Sequence, residues 1–230
     1  MKSRIAVLAS GEGTTAESFI RTSNANNASV EVALVISSRS DAGILARIAN
    51  LNQELGLAIE CLVINNTTHP AAENESVTKG SLTSAEEQAI LDVLQAGTFD
   101  LVMLMGYMKR VGSRLVDTFG WRSTYTNPYQ AMMLNTHPGL LPDTKALYGI
   151  HVQEYVLEQK LPYGGQTLHV VAEAYDEGPV IAEHRVAVEV NDTPDSLFDR
   201  VKAAEKQFLP IDIPAFIEAR KHFLQSQGGA

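Results

Sequence analysis

Asn135 and His137 stand two residues apart at the end of an apolar run that begins at Ala131 and breaks at Pro138-Gly139. Side chains alternate along a strand, so residues i and i+2 share a face. The two would enter one space where the strand ends, an amide donor beside a group that titrates near neutral pH. A lone histidine in that place is more often structural. Asp176, in Tyr175-Asp176-Glu177-Gly178-Pro179, shifts the balance, although an Asp before Gly is by itself ordinary turn chemistry. Together the three supply a base, a group that holds a proton and a neutral donor. Acyl or formyl transfer to an amine needs such a set, because the amine loses a proton and the carbonyl oxygen becomes negative. Donors aimed at that oxygen are worth roughly 3–4 kcal/mol each, and a positioned acid or base about 10²–10⁴ in rate.

A second stretch with chemistry is Ser10-Gly11-Glu12-Gly13-Thr14-Thr15, between the apolar run Ile5–Ala9 and a helical pattern from Ala16. Glycines allow a tight turn, and the helix N-terminus offers unpaired N–H groups to an anion. The letters also fit the G-x-G-x-x-A turn of dinucleotide binders, which wants an acidic residue about 20 residues on. Ser37-Ser38-Arg39 stands there instead, so that reading rests on Arg39 meeting a 2′-phosphate. A single phosphate held by Gly13, Thr14 and Thr15, with Gly11 in the turn, fits better, provided Glu12 points to solvent.

The elements that must position these groups follow from hydropathy. Runs at 30–36, 57–64 and 99–105 read as further strands, the last apolar on both faces except at Asp100, as a central parallel strand is. Ser40-Asp41 is placed to cap a helix with Ile44, Ile48, Leu51 and Leu55 on one face and Gly56 as its stop. The polar stretch 65–82 reads as a mobile loop, and Ser84-Ala85-Glu86-Glu87 as a capping box for a helix ending at Gly97. Strand and helix alternate, as in a doubly wound parallel sheet with right-handed crossovers. Runs at 166–175 and 180–190 are joined by too few residues to be parallel. Thr193-Pro194 opens a last helix, with Thr as N-cap and Pro at its first position. The fold class is therefore α/β: a doubly wound, mostly parallel sheet, Rossmann-like in its N-terminal half, with an antiparallel hairpin in the C-terminal half. The division falls near Met105, giving halves 1–105 and 106–230 of one domain without a linker.

The 230 residues suit one large domain or two small ones. A net charge of −9 argues against a nucleic-acid partner. The single cysteine, Cys61, forms no internal disulfide, which points to a reducing cytoplasm; its apolar neighbours place it in the core. No apolar stretch reaches about 18 residues, so no membrane span is expected. The start lacks the layout of a signal peptide, and the tail from Gln225 to Ala230 reads as frayed.

These residues resemble those of a known family, the phosphoribosylglycinamide (GAR) formyltransferases of purine synthesis. Ala9-Ser10-Gly11-Glu12-Gly13 is similar to that family's phosphate loop, and Gly106-Tyr107-Met108-Lys109-Arg110-Val111 to its folate segment. Leu134–Pro142 resembles its Asn-x-His-Pro-x-Leu-Leu-Pro signature, and Gln166–Val171 with Tyr175–Ile181 the hairpin that carries its catalytic Asp. The resemblance implies a formyltransferase fold, 10-formyltetrahydrofolate as donor, no metal, small-molecule substrates and a monomer or homodimer. It implies Asn135, His137 and Asp176 as the catalytic set, with Asn135 and a protonated His137 on the oxyanion and Asp176 orienting His137 and taking up the amine proton. Gly11, Gly13, Thr14, Thr15 and Glu205 would meet GAR. Met108, Lys109, Arg110 and Val111, with Ala172, Glu173, Ala174 and Tyr175, would meet folate. The chain departs from the family pattern at Lys109, where Arg is usual, and in the loop Asp143–Gly149; 121–130 reads as an insertion. Formyltetrahydrofolate deformylase, a sugar-amine formyltransferase and a non-catalytic NADP-binding module are the alternatives.

Overall fold

Continuous apolar runs must be covered on both faces, and Ile5–Ala9 and Leu101–Leu104 are buried throughout. The computed structural model describes residues 2–25 and 29–227. The chain divides into two compact units, Met1–Gly120 and Trp121–Ala230.

The first unit runs β1 (Ser3–Ala9), α1 (Thr14–Ala25), β2 (Val30–Ser37), α2 (Gly43–Leu55), β3 (Glu60–Val63), α3 (Ser84–Ala96), β4 (Leu101–Leu104) and α4 (Ser113–Phe119). Its strands are parallel, in the order β3-β2-β1-β4. The sheet grows one way from β1 to β3, and α3 then carries the chain back to set β4 on the other side of β1. The strand order reverses there, and the carboxyl ends of β1 and β4 form a switch point of the kind at which α/β sheets bind ligands.

The second unit opens with a single 3-10 turn at Pro128–Gln130, followed by β5 (Met133–His137), α5 (His151–Glu158), β6 (Tyr163–Val170), β7 (Val180–Ala187) and α6 (Pro194–Gln227). β5 pairs with β6 and β6 with β7, both antiparallel. α6 closes the unit by burying Leu197, Val201, Leu209, Ile213, Phe216 and Ile217. The α/β class expected from the sequence is the one found, parallel strands first and an antiparallel hairpin after them.

Several local expectations are corrected. α2 has Ala42 at its cap with no side-chain cap bond, because Asp41 is drawn into an ion pair with Arg39. The capping box of α3 sits one residue earlier, between Thr83 and Glu86. Cys61 is exposed, not in the core: β3 is the last strand in its unit's order, and its apolar residues are only partly covered. The hairpin strand stops at Val170, so Ala172–Tyr175 lie in the connection rather than in β6. α6 runs on to Gln227 through Pro210 and Pro214; of the tail read as frayed, Gly228, Gly229 and Ala230 lie outside the described residues. The segment read as an insertion is organised, with Asn127 and Gln130 forming a reciprocal cap and Tyr129 packing on Phe216 and Phe223 of α6.

Candidate active site

The glycine loop and the segment after β4 meet at the switch point of the first unit. Gly13 takes a left-handed φ of 73°. A Cβ there would stand 2.4 Å from Ile44 Cδ1 and 2.8 Å from Ile44 Cα, so the turn demands glycine twice over. α1 starts at Thr14, and the Glu17 N–H closes its first turn on the Gly13 carbonyl. The Glu12 side chain is 80% exposed, as the anion reading required, and Arg47 Nε donates to the Glu12 carbonyl at 2.7 Å. The loop meets the next segment through Ser10: its N–H donates to the Gly106 carbonyl, and its Oγ accepts the Met108 N–H. Arg110 N–H in turn donates to the Gly80 carbonyl, tying in the end of the 65–82 loop.

Within that segment Met108 presents its side chain outward and Val111 is buried. The Lys109 ammonium is held 2.5 Å from Glu86 Oε1, while Glu86 Oε2 accepts the Thr83 N–H. The charge of Lys109 is thus spent on the α3 cap. Arg39, the residue on which a 2′-phosphate reading depended, is held by both oxygens of Asp41.

In the second unit the three sequence-picked side chains come together. Asn135 lies directly opposite His169 in the β5–β6 register, and such cross-strand pairs share a face. Asn135 Nδ2 and His169 Nε2 are 3.0 Å apart. Asp176, at a left-handed φ of 56°, brings Oδ2 to 3.6 Å from His137 Nδ1 and Oδ1 to 3.5 Å from His169 Nε2. The Ala146 N–H donates to Asp176 Oδ2 at 3.0 Å. His137 is 3% exposed, and its Nε2 lies 3.0 Å from Thr144 Oγ1. His169 and the Thr144 and Ala146 contacts were missed in the sequence. The signal for His169 was its i, i+2 spacing from Thr167, the mirror of Asn135 and His137, but only the register reveals it.

Partners fix the protons. The Val170 carbonyl can only accept, so His169 Nδ1, 3.0 Å away, carries the hydrogen. In the neutral ring Nε2 is then an acceptor for the Asn135 NH₂ group, and only the doubly protonated ring can also donate from Nε2 to Asp176 Oδ1. Burial pushes the His137 imidazole below its ordinary value, and Asp176 only partly offsets this. Burial thus favours the neutral ring in the resting protein, so the protonated His137 that the resemblance implies on the oxyanion would have to arise during the reaction. Burial also works to raise the Asp176 carboxyl, but His169, His137 and the Ala146 N–H outweigh it and hold it below the usual carboxylate value. The arrangement is a carboxylate flanked by two imidazoles, with an amide fixed alongside. It can take up a proton and offer an N–H to a developing oxyanion.

Residues 3–213 match the formyl transferase family. The chain belongs to that family. It is 33% identical over 221 residues to phosphoribosylglycinamide formyltransferase, chloroplastic, of Arabidopsis thaliana, covering 95% of this chain and 67% of that protein. The phosphoribosylglycinamide formyltransferase of Bacillus subtilis is 27% identical, over 90% of this chain and 91% of its own length. Against the human trifunctional purine biosynthetic protein adenosine-3 the chain is 31% identical and spans 18% of that longer protein. Among solved structures, glycinamide ribonucleotide transformylase 1 from Symbiobacterium toebii superposes with a TM-score of 0.74 at 31% identity, over 95% of this chain and 89% of the other.

The structure does not bring every candidate to the Asn135–His137–Asp176 cluster. Glu205 is buried against Thr136, whose Oγ1 donates to it at 2.6 Å, on the face of β5 opposite Asn135 and His137. Ala172, Glu173, Ala174 and Tyr175 line the connection that delivers Asp176. Among the described residues no group of three or more His, Cys, Asp or Glu could hold a metal ion, and no helix is long and apolar enough to cross a membrane.

Proposed function

We propose that this chain transfers a formyl group from 10-formyltetrahydrofolate to the amine of 5′-phosphoribosylglycinamide in purine biosynthesis. The observation that carries the reading is the meeting of Asn135, His137 and Asp176 in one partly buried cluster, in a formyl transferase chain whose relatives bear that name. The amine nitrogen attacks the formyl carbon, and the carbon–N10 bond of the folate breaks. The proton lost by the amine goes to the Asp176–His137 pair, at Nδ1 or through the carboxylate; folate N10 takes one in its place. The Asn135 amide, oriented by His169, donates its second N–H to the oxyanion, an effect worth roughly 3–4 kcal/mol per donor. His137 begins neutral, so it acts first as an acceptor and becomes a cation only as the reaction proceeds.

Gly11, Gly13, Thr14 and Thr15 are assigned the substrate phosphate, and Glu205 the acceptor substrate rather than the chemistry. Met108, Lys109, Arg110 and Val111 are assigned folate, Lys109 through its backbone because its ammonium is paired. Ala172, Glu173, Ala174 and Tyr175 are assigned the same ligand. Incubation with 10-formyltetrahydrofolate, with and without GAR, tests the reading through release of tetrahydrofolate. Release that requires GAR is expected. Release with water alone would assign a deformylase, and no release, with NADP binding by calorimetry, would overturn formyl transfer altogether.

A further inference from the structure

Thr144 is buried, at 1% exposure, and the chemistry above does not use it. Its hydroxyl nevertheless lies 3.0 Å from His137 Nε2 and 3.0 Å from the Leu140 carbonyl. A hydroxyl has one hydrogen, and a carbonyl oxygen only accepts. The hydrogen of Thr144 is therefore given to Leu140, and its oxygen lone pairs face the ring. His137 Nε2 must be the donor in that contact. We propose that Thr144 is a positioning residue that locks His137 in the tautomer protonated at Nε2 and leaves Nδ1, the nitrogen facing Asp176, as the one ring nitrogen that exchanges a proton.

The surroundings support this placement. The Thr144 N–H closes the turn on the same Leu140 carbonyl at 3.2 Å, so backbone and side chain hold the hydroxyl in place together. Gly139 makes room for it: a Cβ there would stand 2.1 Å from Thr144 Oγ1 and 2.7 Å from Val152 Cγ1. The hydrogen-bond chain from Nε2 ends at a carbonyl, which has no proton to pass on, so it anchors the ring and does not relay. The charged and titratable groups facing His137 are Asp176, from the connection after β6, and His169, from β6 itself. Lys145, next to Thr144, is paired with Glu177. With Nε2 occupied, the ring presents a lone pair at Nδ1 toward a carboxylate 3.6 Å away. Two acceptors in that relation favour the arrival of a proton between them, which the attacking amine supplies.

The kinetic arm of the test rests on the formyl-transfer reading; the spectroscopic arm does not. Two-bond ¹H–¹⁵N correlation spectra of protein carrying ¹⁵N-histidine report which ring nitrogen bears hydrogen. The unaltered protein and Thr144→Ser should show His137 protonated at Nε2, and Thr144→Val should move the hydrogen to Nδ1, beside Asp176. In the 10-formyltetrahydrofolate and GAR assay, Thr144→Val should lose about tenfold in kcat, one hydrogen bond's worth, with KM for both substrates held. Thr144→Ser should recover most of the loss. Hydrogen on Nδ1 in the unaltered protein, or a Thr144→Val variant with the original tautomer and full turnover, overturns the proposal. Should Thr144→Val fail to fold, the spectra of the unaltered protein and Thr144→Ser decide. An unaltered protein without formyl transfer would remove the functional reading, and the spectra would still decide this one.

Discussion

The Asp176 cluster and the Gly11–Thr15 loop are built from opposite materials. The cluster is made of side chains, His137, His169 and Thr144 buried and Asn135 and Asp176 half-buried, each held by a partner more than two residues away in sequence or by a backbone carbonyl. The loop is made of backbone: a left-handed glycine, the start of α1 and an exposed acidic side chain turned away. Charge in the cluster depends on protonation and hence on pH. Charge in the loop is the fixed partial charge of a helix terminus. The first should fail when a functional group is removed, the second when an atom is added.

The largest effect should come from the cluster. His137→Ala and Asp176→Asn should each lower turnover by about 10²–10⁴ while the melting temperature moves by only a few degrees. Unfolding of His137→Ala in place of lost turnover would make the histidine structural and dissolve the contrast.

Gly13→Ala comes next. The new Cβ meets the Ile44 backbone, not only its side chain, and the left-handed φ adds strain. We expect roughly a tenfold to hundredfold rise in KM for the phosphate-bearing substrate, the scale of a displacement near 1 Å, with the acid limb of the pH profile unmoved. A variant that lost stability while KM held would show that the loop is a turn and nothing more.

The pH profile separates the two regions further. The His137 value is depressed below 6.5, so the acid limb of kcat/KM should fall below 6.5, where the free enzyme loses its acceptor. The same depression makes the unfolded chain bind more protons than the folded one just below 6.5, and stability should fall as pH drops through that range. Asp176 acts in the same sense below 3.8, since its folded value is also depressed. Thermal denaturation from pH 7.5 to 5.5 should therefore be flatter in His137→Asn than in the unaltered protein. Equal slopes would count against the buried neutral ring.

The smallest effect is expected at Ala146, which holds a left-handed φ of 62° to aim its N–H at Asp176. A left-handed alanine costs about 1–2 kcal/mol, and glycine returns most of that against its own entropy cost of about 0.5–1 kcal/mol. Ala146→Gly should raise stability by about 0.5 kcal/mol and leave turnover unchanged. A clear loss of stability would mean that the alanine side chain contributes packing that the strain conceals.

What the sequence by itself determined was set by short-range rules. Alternation put Asn135 and His137 on one face, continuous apolar runs gave the buried parallel strands, and Thr193-Pro194 opened α6. Each rule involves residues within a turn or a strand of one another, and each is readable without knowing the partner. Even there, competition shifted details: Thr83 rather than Ser84 took the cap of α3, and Asp41 took Arg39 instead of capping α2. What only the tertiary structure decided was who meets whom across loops and between strands, from seven residues apart to more than thirty. The antiparallel register set His169 opposite Asn135, the Pro138–Gly149 turn brought Thr144 under His137, and the connection after β6 carried Asp176 to the Ala146 N–H. Register and loop closure depend on the packing of whole elements, and one residue of slip would turn His169 to the other face. Residue types could name the chemistry, but only the fold could fix which nitrogen holds the proton.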